Sequence, residues 1–308
     1  MKIKKLLSVA LSILFVISVL SLYACGGEGD NDNGIKFTEQ AGALSVIGYE
    51  GEESAVVIPE TYDGKTVTKI SAKAFEQSSL LEITIPKSII EVGEDAFLDS
   101  RLTKVTYLGT IDQWVKIKFQ GEGANPISVS KNLVIDGQKV TTVTLTTADK
   151  VGDYAFFEYT PLVGVDIGDN VVKIGVSSFD GCSLLTQLDF GDKLEEFDYR
   201  SFGNCSSLES VTFTNGIKSI GRESFRLCTS LKSVYIPESV TLIEIAAFNY
   251  NTEMVSVIFE VTEGWYLAEN LSASSGVDVD EERLLDEKEA AELLSIKEGN
   301  NKYFWKRG

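Results

Sequence analysis

The sequence predicts a β-rich solenoid, a stack of short coils that each contribute one strand to a parallel sheet. Three observations predict it. Phe75, Phe97, Phe156, Phe179, Phe202, Phe225 and Phe248 recur down the chain, the last five at a constant period of 23. A small residue precedes each of them (Ala74, Ala96, Ala155, Ser178, Ser201, Ser224, Ala247), and a large apolar residue stands five positions before (Ile70, Val92, Val151, Ile174, Phe197, Ile220, Ile243). After each Phe comes an apolar pair two residues apart: Ile83/Ile85, Val105/Tyr107, Val165/Ile167, Leu188/Phe190, Val211/Phe213, Val234/Ile236 and Val257/Phe259. A spacing of two puts both side chains of a pair on one face of a strand. A 23-residue unit is too short for a propeller blade or a two-helix repeat, and it buries its Phe and its strand pair only when stacked on neighbours.

In chain order, the first element is an export signal over residues 1–24. Lys2, Lys4 and Lys5 precede the uncharged apolar run 6–22, and Tyr23-Ala24-Cys25 follows; this is the basic, apolar, small-residue order of a secretory signal. A membrane-spanning helix is the competing reading, with the apolar run at the short end for a bilayer. Leu22-Tyr23-Ala24-Cys25 resembles a bacterial lipobox, and the resemblance implies lipidation of Cys25 as the mature N-terminus. Residues 25–35 read as a flexible tether, because Gly, Asp, Asn and Glu cannot bury anything. As a calcium loop centred on Gly34 the stretch lacks both end carboxylates, since those positions are Gly29 and Gln40.

Residues 36–66 are expected to cap the stack, with Asp63-Gly64 as a hairpin turn. Residues 67–260 form the solenoid. Here Ile220-Gly221-Arg222-Glu223-Ser224-Phe225-Arg226-Leu227-Cys228-Thr229-Ser230-Leu231-Lys232-Ser233-Val234-Tyr235-Ile236-Pro237 closely resembles the BspA-like (Treponema-type) leucine-rich repeat, and the same register recurs at 174–190 and 197–213. The resemblance covers about residues 36–260. It implies a leucine-rich repeat right-handed coil with short helical or 3-10 returns, and adhesion or binding to host or neighbouring-cell components. Phe97 and Phe156 are too far apart for one period, so an insert is expected at about 109–139, carrying Trp114, Asn125-Pro126 and a second hairpin signal at Asp136-Gly137. It either adds strands to the solenoid or projects from it. Residues 261–308 are expected to close the far end. In them 280–295 reads as an amphipathic helix N-capped by Asp278 or Asp280, with Leu284, Leu285, Ala291 and Leu294 towards one side, and Tyr303-Phe304-Trp305 supplies a last strand.

Composition then restricts the chemistry. The chain holds 308 residues, 46 Asp and Glu against 28 Lys and Arg, four Cys and no His. Loss of residues 1–24 removes three Lys and no acid, so the formal charge goes from −18 to −21. Without imidazole there is no Ser-His-Asp triad, Cys-His pair or His-ligated metal, and the acidic balance argues against nucleic acid. Cys182, Cys205 and Cys228 stand 23 apart and form one column. They read first as buried small hydrophobes, with one disulfide or a metal site as the alternatives. Gly64-Lys65-Thr66 lacks the first glycine of a phosphate loop, as that position is Pro59. Ser128-Val129-Ser130-Lys131 matches Ser-x-x-Lys without its partner motifs. Pairs such as Glu195 and Glu196 are unavoidable in so acidic a chain. No catalytic residue, cofactor or metal is expected.

The residue between the members of each apolar pair points away from the core: Thr84, Thr106, Asp166, Asp189, Thr212, Tyr235 and Ile258. Asp166, Asp189, Thr212, Tyr235 and Ile258 form the candidate binding ladder, acidic first and aromatic and apolar at the end; the alternative is that β-formers simply suit a strand surface. The leading expectation is a non-enzymatic lipoprotein on the bacterial cell envelope that binds a protein or glycan of host or neighbouring cells. A surface carbohydrate-binding protein comes second and an enzyme using carboxylates alone third.

Overall fold

The computed structural model describes residues 33–295 and 303–308. Cys25, the signal segment and most of the tether lie outside the described residues. The fold is a right-handed β-solenoid with mostly parallel strands, sparse helical turns and a pair of short C-terminal helices. Each coil contributes two strands where the sequence led us to expect one. The apolar pairs lie on strands such as Glu82–Ile85, Gly164–Asp166 and Ser233–Ile236. The apolar residue five before each Phe ends a second, two-residue strand in most coils, such as Glu91–Val92, Lys173–Ile174 and Ser219–Ile220. The second set stacks in parallel from Lys150–Val151 to Leu242–Ile243 with residues 23 apart in register.

Between the two strands of a coil the chain turns around its Phe, and the turn has a fixed backbone pattern. Residues two before and two after every repeat Phe have left-handed φ: Lys73 and Gln77 (61°, 54°), Asp95 and Asp99, Tyr154 and Glu158, Ser177 and Gly181, Arg200 and Asn204, Glu223 and Leu227, and Ala246 and Tyr250 (58°, 64°). This alternation turns every second N–H towards the following coil. Tyr154, Phe156 and Glu158 donate to the carbonyls of Val176, Ser178 and Asp180 at 2.6–2.8 Å, and Arg200, Phe202 and Asn204 donate to Arg222, Ser224 and Arg226 at 2.8–3.1 Å. The turn is therefore a third hydrogen-bonded ladder, which answers where the backbone polar groups of so buried a corner go.

The Phe rings stack along the same axis. Centroids of successive rings lie 5.4, 4.9, 5.4 and 5.6 Å apart from Phe156 to Phe248, with planes within 10° of parallel. This matches the ~4.8 Å strand spacing that the sheets impose, and each pair adds about 1 kcal/mol beyond area burial. Three residues after the Phe, Cys182, Cys205 and Cys228 are free, fully buried thiols. Each Sγ–H points to the carbonyl of the Phe one coil back (Phe156, Phe179, Phe202) at 3.3–3.4 Å. Burial pushes the thiols of Cys182 and Cys205 up, so they stay protonated. The same column continues as Tyr159 before them and Asn251 after them, both buried.

The insert does not project. Lys118–Phe119 pairs with Glu91–Val92, and Leu133–Ile135 pairs with Lys104–Tyr107, so the segment adds a further coil in which Ala124 stands where the Phe would be. Phe97 N–H donates to Gly123 there, as each repeat Phe does to the residue before the next. Trp114 supplies the missing aromatic volume; it is fully buried, packs on Tyr107 and Phe119, and donates its indole N–H to Ala155 O at 2.9 Å. Asn125, also fully buried, donates to the carbonyls of Tyr154 and Ala155. A short helix, Ile111–Trp114, carries a capping box from Thr110 and Gln113. Its Asp112 accepts from the N–H groups of Thr146, Thr147 and Ala148 at 3.0, 2.8 and 2.7 Å and from the Thr146 hydroxyl. Burial pushes the Asp112 carboxyl up, but those hydrogen bonds outweigh it and hold it below the usual carboxylate value.

Both ends are closed along their strands. Ile35–Gln40 and Ala43–Tyr49 form a hairpin that pairs in parallel with Lys65–Ile70. Asp63-Gly64 and Asp136-Gly137 form the expected two-residue hairpins, with positive φ at all four residues. At the other end Phe304–Arg307 lies antiparallel between Leu242–Ile243 and Trp265–Ala268. The expected single helix is broken into Glu281–Leu285, capped by Asp280, and Glu287–Ser295. Asp286, at the break, accepts from Lys288 and Glu289 N–H and starts the second helix. The break rotates Leu285 outwards: it is 71% exposed, contrary to its expected place on the buried side, while Leu284, Ala290, Ala291 and Leu293 face the core.

Three outcomes follow for stability. The hydroxyls of Ser178, Ser201 and Ser224 are buried and find no acceptor among the described residues, and other coils carry Ala at that position. Ser201→Ala is therefore expected to leave stability unchanged or raise it by up to about 1 kcal/mol; a lower urea midpoint would contradict this. Ala246 adopts φ 58°, so Ala246→Gly should raise stability by about 0.5–1 kcal/mol while Ala247→Gly beside it lowers it. Asp112→Ala should cost about 2 kcal/mol or more, since three N–H groups lose a charged acceptor. With its folded value depressed, Asp112 contributes fully above the unfolded carboxylate value near about 3.9 and loses that contribution as pH falls through the folded value. Acid titrations of Asp112→Asn by circular dichroism should show a shallower loss of stability below that point than the parent chain shows.

Candidate functional site: the exposed strand ladder

The outward residues of the longer strands are set by pleat alternation. In Ser233–Ile236, Val234 and Ile236 are buried and Tyr235 faces out; in Ser256–Phe259, Val257 and Phe259 are buried and Ile258 is 42% exposed. The ladder residues come together in groups. Thr84 pairs with Thr106, which in turn pairs with Val134 of the insert. Thr144 pairs with Asp166, and Asp166 with Asp189. Thr212 pairs with Tyr235, and Tyr235 with Ile258. Between Asp189 and Thr212 the hydrogen-bonded ladder is interrupted, because Gln187–Asp189 and Ser210–Thr212 belong to different sheets. Beneath the interruption Phe190 stacks on Phe213 at 5.8 Å and both rings abut Phe197 edge-on.

The two groups differ in chemistry. Asp166 and Asp189 stand exposed on neighbouring strands, an acidic pair that forms no ion pair among the described residues. At the far end Tyr235 is half-buried. Burial and then the Glu260 carboxylate beside its hydroxyl push the phenol above its ordinary value, so it stays neutral. Glu260 also accepts the Glu238 N–H at 2.8 Å, which holds that carboxylate in place. Val255 (63% exposed) immediately precedes the last strand, so the end of the ladder carries exposed aliphatic side chains beside the tyrosine. The C-terminal helix covers the edge of that strand and Ser256 bonds Glu287, leaving the outward face of Ile258 open.

Elsewhere the surface carries cross-coil ion pairs together with exposed aliphatics such as Ile90, Leu108 and Leu184. Lys69–Glu91, Lys104–Glu82, Lys173–Glu196, Lys218–Glu195 and Arg200–Glu223 each join residues one coil apart. The acids are thus dispersed along the coils. Among the described residues no group of three or more Cys, Asp or Glu is arranged to hold a metal ion.

These features agree with known proteins. The family model for the BspA type leucine rich repeat region matches residues 55–141 and 149–263 in six copies. No curated protein matches the chain. Among solved structures, a leucine-rich repeat protein of T. pallidum is 20% identical, with 72% of this chain and 88% of that one covered and a TM-score of 0.43. A leucine-rich cell surface protein of Faecalibacterium prausnitzii is 15% identical (78% and 97% covered, TM-score 0.41). The pneumococcal vaccine antigen PcpA is 14% identical (74% and 86% covered, TM-score 0.40). The repeat model spans well over half of the chain, in the register that the Phe turns and strand pairs define: the protein belongs to the BspA-type leucine-rich repeat family.

Proposed function

We propose that this is a non-catalytic lipoprotein of the bacterial cell envelope, anchored through Cys25 and displaying its solenoid to a macromolecular partner on host or neighbouring cells. The observation that carries the reading is the far end of the strand ladder. Tyr235 and Ile258 stand in register on adjacent strands, with the exposed Val255 at the start of the second. A half-buried tyrosine beside an exposed aliphatic residue has the composition of an interface centre. A protein partner suits it best, because the patch offers apolar area and few free hydrogen-bonding groups. Asp166 and Asp189 then act as a rim that favours basic partner surfaces and rejects acidic ones. The basic start, the apolar run and the lipobox-like Leu22-Tyr23-Ala24-Cys25 support export and anchoring.

The test is quantitative binding of the labelled mature chain to intact host or neighbouring cells, with and without protease treatment of those cells. Tyr235→Ala and Ile258→Asp are each expected to weaken protease-sensitive binding by about tenfold or more, about 1.4 kcal/mol. Unchanged binding in both would remove the ladder from the site. In the producing cell, Cys25→Ser should move the protein from the membrane fraction to the medium; retention in the membrane would refute the anchor.

A further inference from the structure

The turn side of the solenoid carries a second feature, independent of the strand ladder. A cleft of about 570 Å³ opens where the inserted coil meets the regular array. The position two after each repeat Phe bears a side chain in six coils (Gln77, Asp99, Glu158, Asn204, Leu227, Tyr250) and is Gly181 in the seventh. A Cβ there would lie 3.1 Å from the Glu158 backbone, and φ is 80°, so the glycine seats closely on Glu158. Gly181 lines the cleft, and Glu122 and Lys131 of the insert wall it on one side.

The lining alternates donors and acceptors. Donors are Lys131, the Arg200 guanidinium and the Asn204 amide; acceptors are Glu122, Glu158 and Asp180, with Phe157 as the aromatic wall. Several are held in place. Asn204 Nδ2 donates to Asp180 Oδ1 at 2.7 Å, Lys131 Nζ to Glu158 Oε2 at 3.1 Å, and Arg200 Nε to Glu223 Oε2 at 2.8 Å. Asp180 is only 5% exposed. Burial raises its carboxyl above the usual range, the Asn204 bond and the Arg200 charge oppose this, and Glu122 and Glu158 add to it. A cation would meet Lys131 and Arg200, and an anion would meet three carboxylates. A neutral ligand whose groups both donate and accept can pair with each kind of neighbour in turn, and hydroxyls do so. The volume lies within the range of small-ligand sites, and Phe157 with the Thr160 and Ser183 side chains completes a mixed apolar and polar wall.

We infer that this cleft binds a neutral sugar, one or two pyranose units of a glycan, with Asp180, Asn204, Arg200 and Lys131 as the hydrogen-bonding groups. The inserted coil is what distinguishes this site from the repeat surface, since it brings in Glu122 and Lys131. The test is isothermal calorimetry, backed by saturation-transfer NMR, of the mature chain with a panel of neutral mono- and disaccharides. At least one sugar should saturate the protein with a Kd of about 1 mM or tighter. Ser183→Trp, which fills the cleft from a partly exposed position, and Asn204→Ala should each weaken it by about tenfold or more, while Tyr235→Ala leaves it unchanged. Circular dichroism of each variant checks the fold. Absence of saturation by every sugar in the panel would overturn the inference. So would full binding in a folded Ser183→Trp, loss of binding in Tyr235→Ala, or preferential saturation by inorganic phosphate or an alkylammonium ion.

Discussion

The structure depends on one backbone arrangement: the Phe turn with a left-handed residue on either side. Two residues of the wrong handedness per coil cost of the order of 1–2 kcal/mol each in a free chain. Here they let three alternate N–H groups, at −2, 0 and +2, reach three carbonyls of the next coil. Without that alternation a corner this buried would leave donors and acceptors unpaired, at about 1–3 kcal/mol apiece. The Phe side chain, fixed between the two left-handed residues, then has one direction to point, into the ring stack. The strands, the ring stack and the thiol column all inherit their rise from this ladder. The Cys Sγ–H groups bond the Phe carbonyls, so even the residue three further on belongs to the same device.

A ladder built this way has a direction, and its two ends differ. Interior N–H groups point to the C-terminal side and interior carbonyls to the N-terminal side. At the last turn the N–H groups of Ala246, Phe248 and Tyr250 have no backbone acceptor among the described residues. The terminal hairpin, the antiparallel strand Phe304–Arg307 and the helix Glu287–Ser295 all close strand edges, which are the aggregation-prone ends of a sheet. The insert solves the same problem in mid-stack. Its coil has Ala124 in place of Phe, and at Ala155 the side chains of Trp114 and Asn125 replace the backbone donor, while Asn125 and Lys131 also reach the carbonyls of Tyr154 and Glu158.

What the sequence made legible follows from where side-chain identity matters. Phe and the small residue before it are buried in every coil, and the apolar residues of the strands in all but the Leu188/Phe190 coil, so packing restricts them and the period is visible. The hairpin turns were legible because Asp-Gly meets a φ requirement that few residues meet. The left-handed positions were not, since Lys, Gln, Tyr, Glu, Ser, Arg, Leu and Ala occupy most of them and only Asp95, Asp99, Gly181 and Asn204 are residues that favour that conformation. There the ladder overrides propensity, and the register rather than the residue type is the signal. The second strand of each coil was hidden for a similar reason: two residues are too few to show a period. The extra coil was hidden because its defining position is Ala124 and its aromatic comes from Trp114, ten residues earlier. Leu285 was misplaced because an unbroken helical period runs through Asp286, whose side chain instead caps a new helix.

The candidate sites divide along the same line. The strand ladder could be named from sequence because pleat alternation alone selects its residues. Its interruption between Asp189 and Thr212 could not, since Gln187–Asp189 and Ser210–Thr212 follow the same pattern and yet belong to different sheets. The cleft was invisible, as it gathers side chains of the insert and of three later coils. In a stack whose interior columns are fixed by the turn ladder, new function can enter by only two routes. One is substitution on an outward column, which changes a surface while leaving every coil intact, as at Tyr235 and Ile258. The other is an irregular coil, whose side chains wall a cleft together with those of the coils that follow. The insert breaks the Phe stack and must be repaired by Trp114 and Asn125. That irregularity also places Glu122 and Lys131 where a repeat coil would put its own turn residues, facing Gly181.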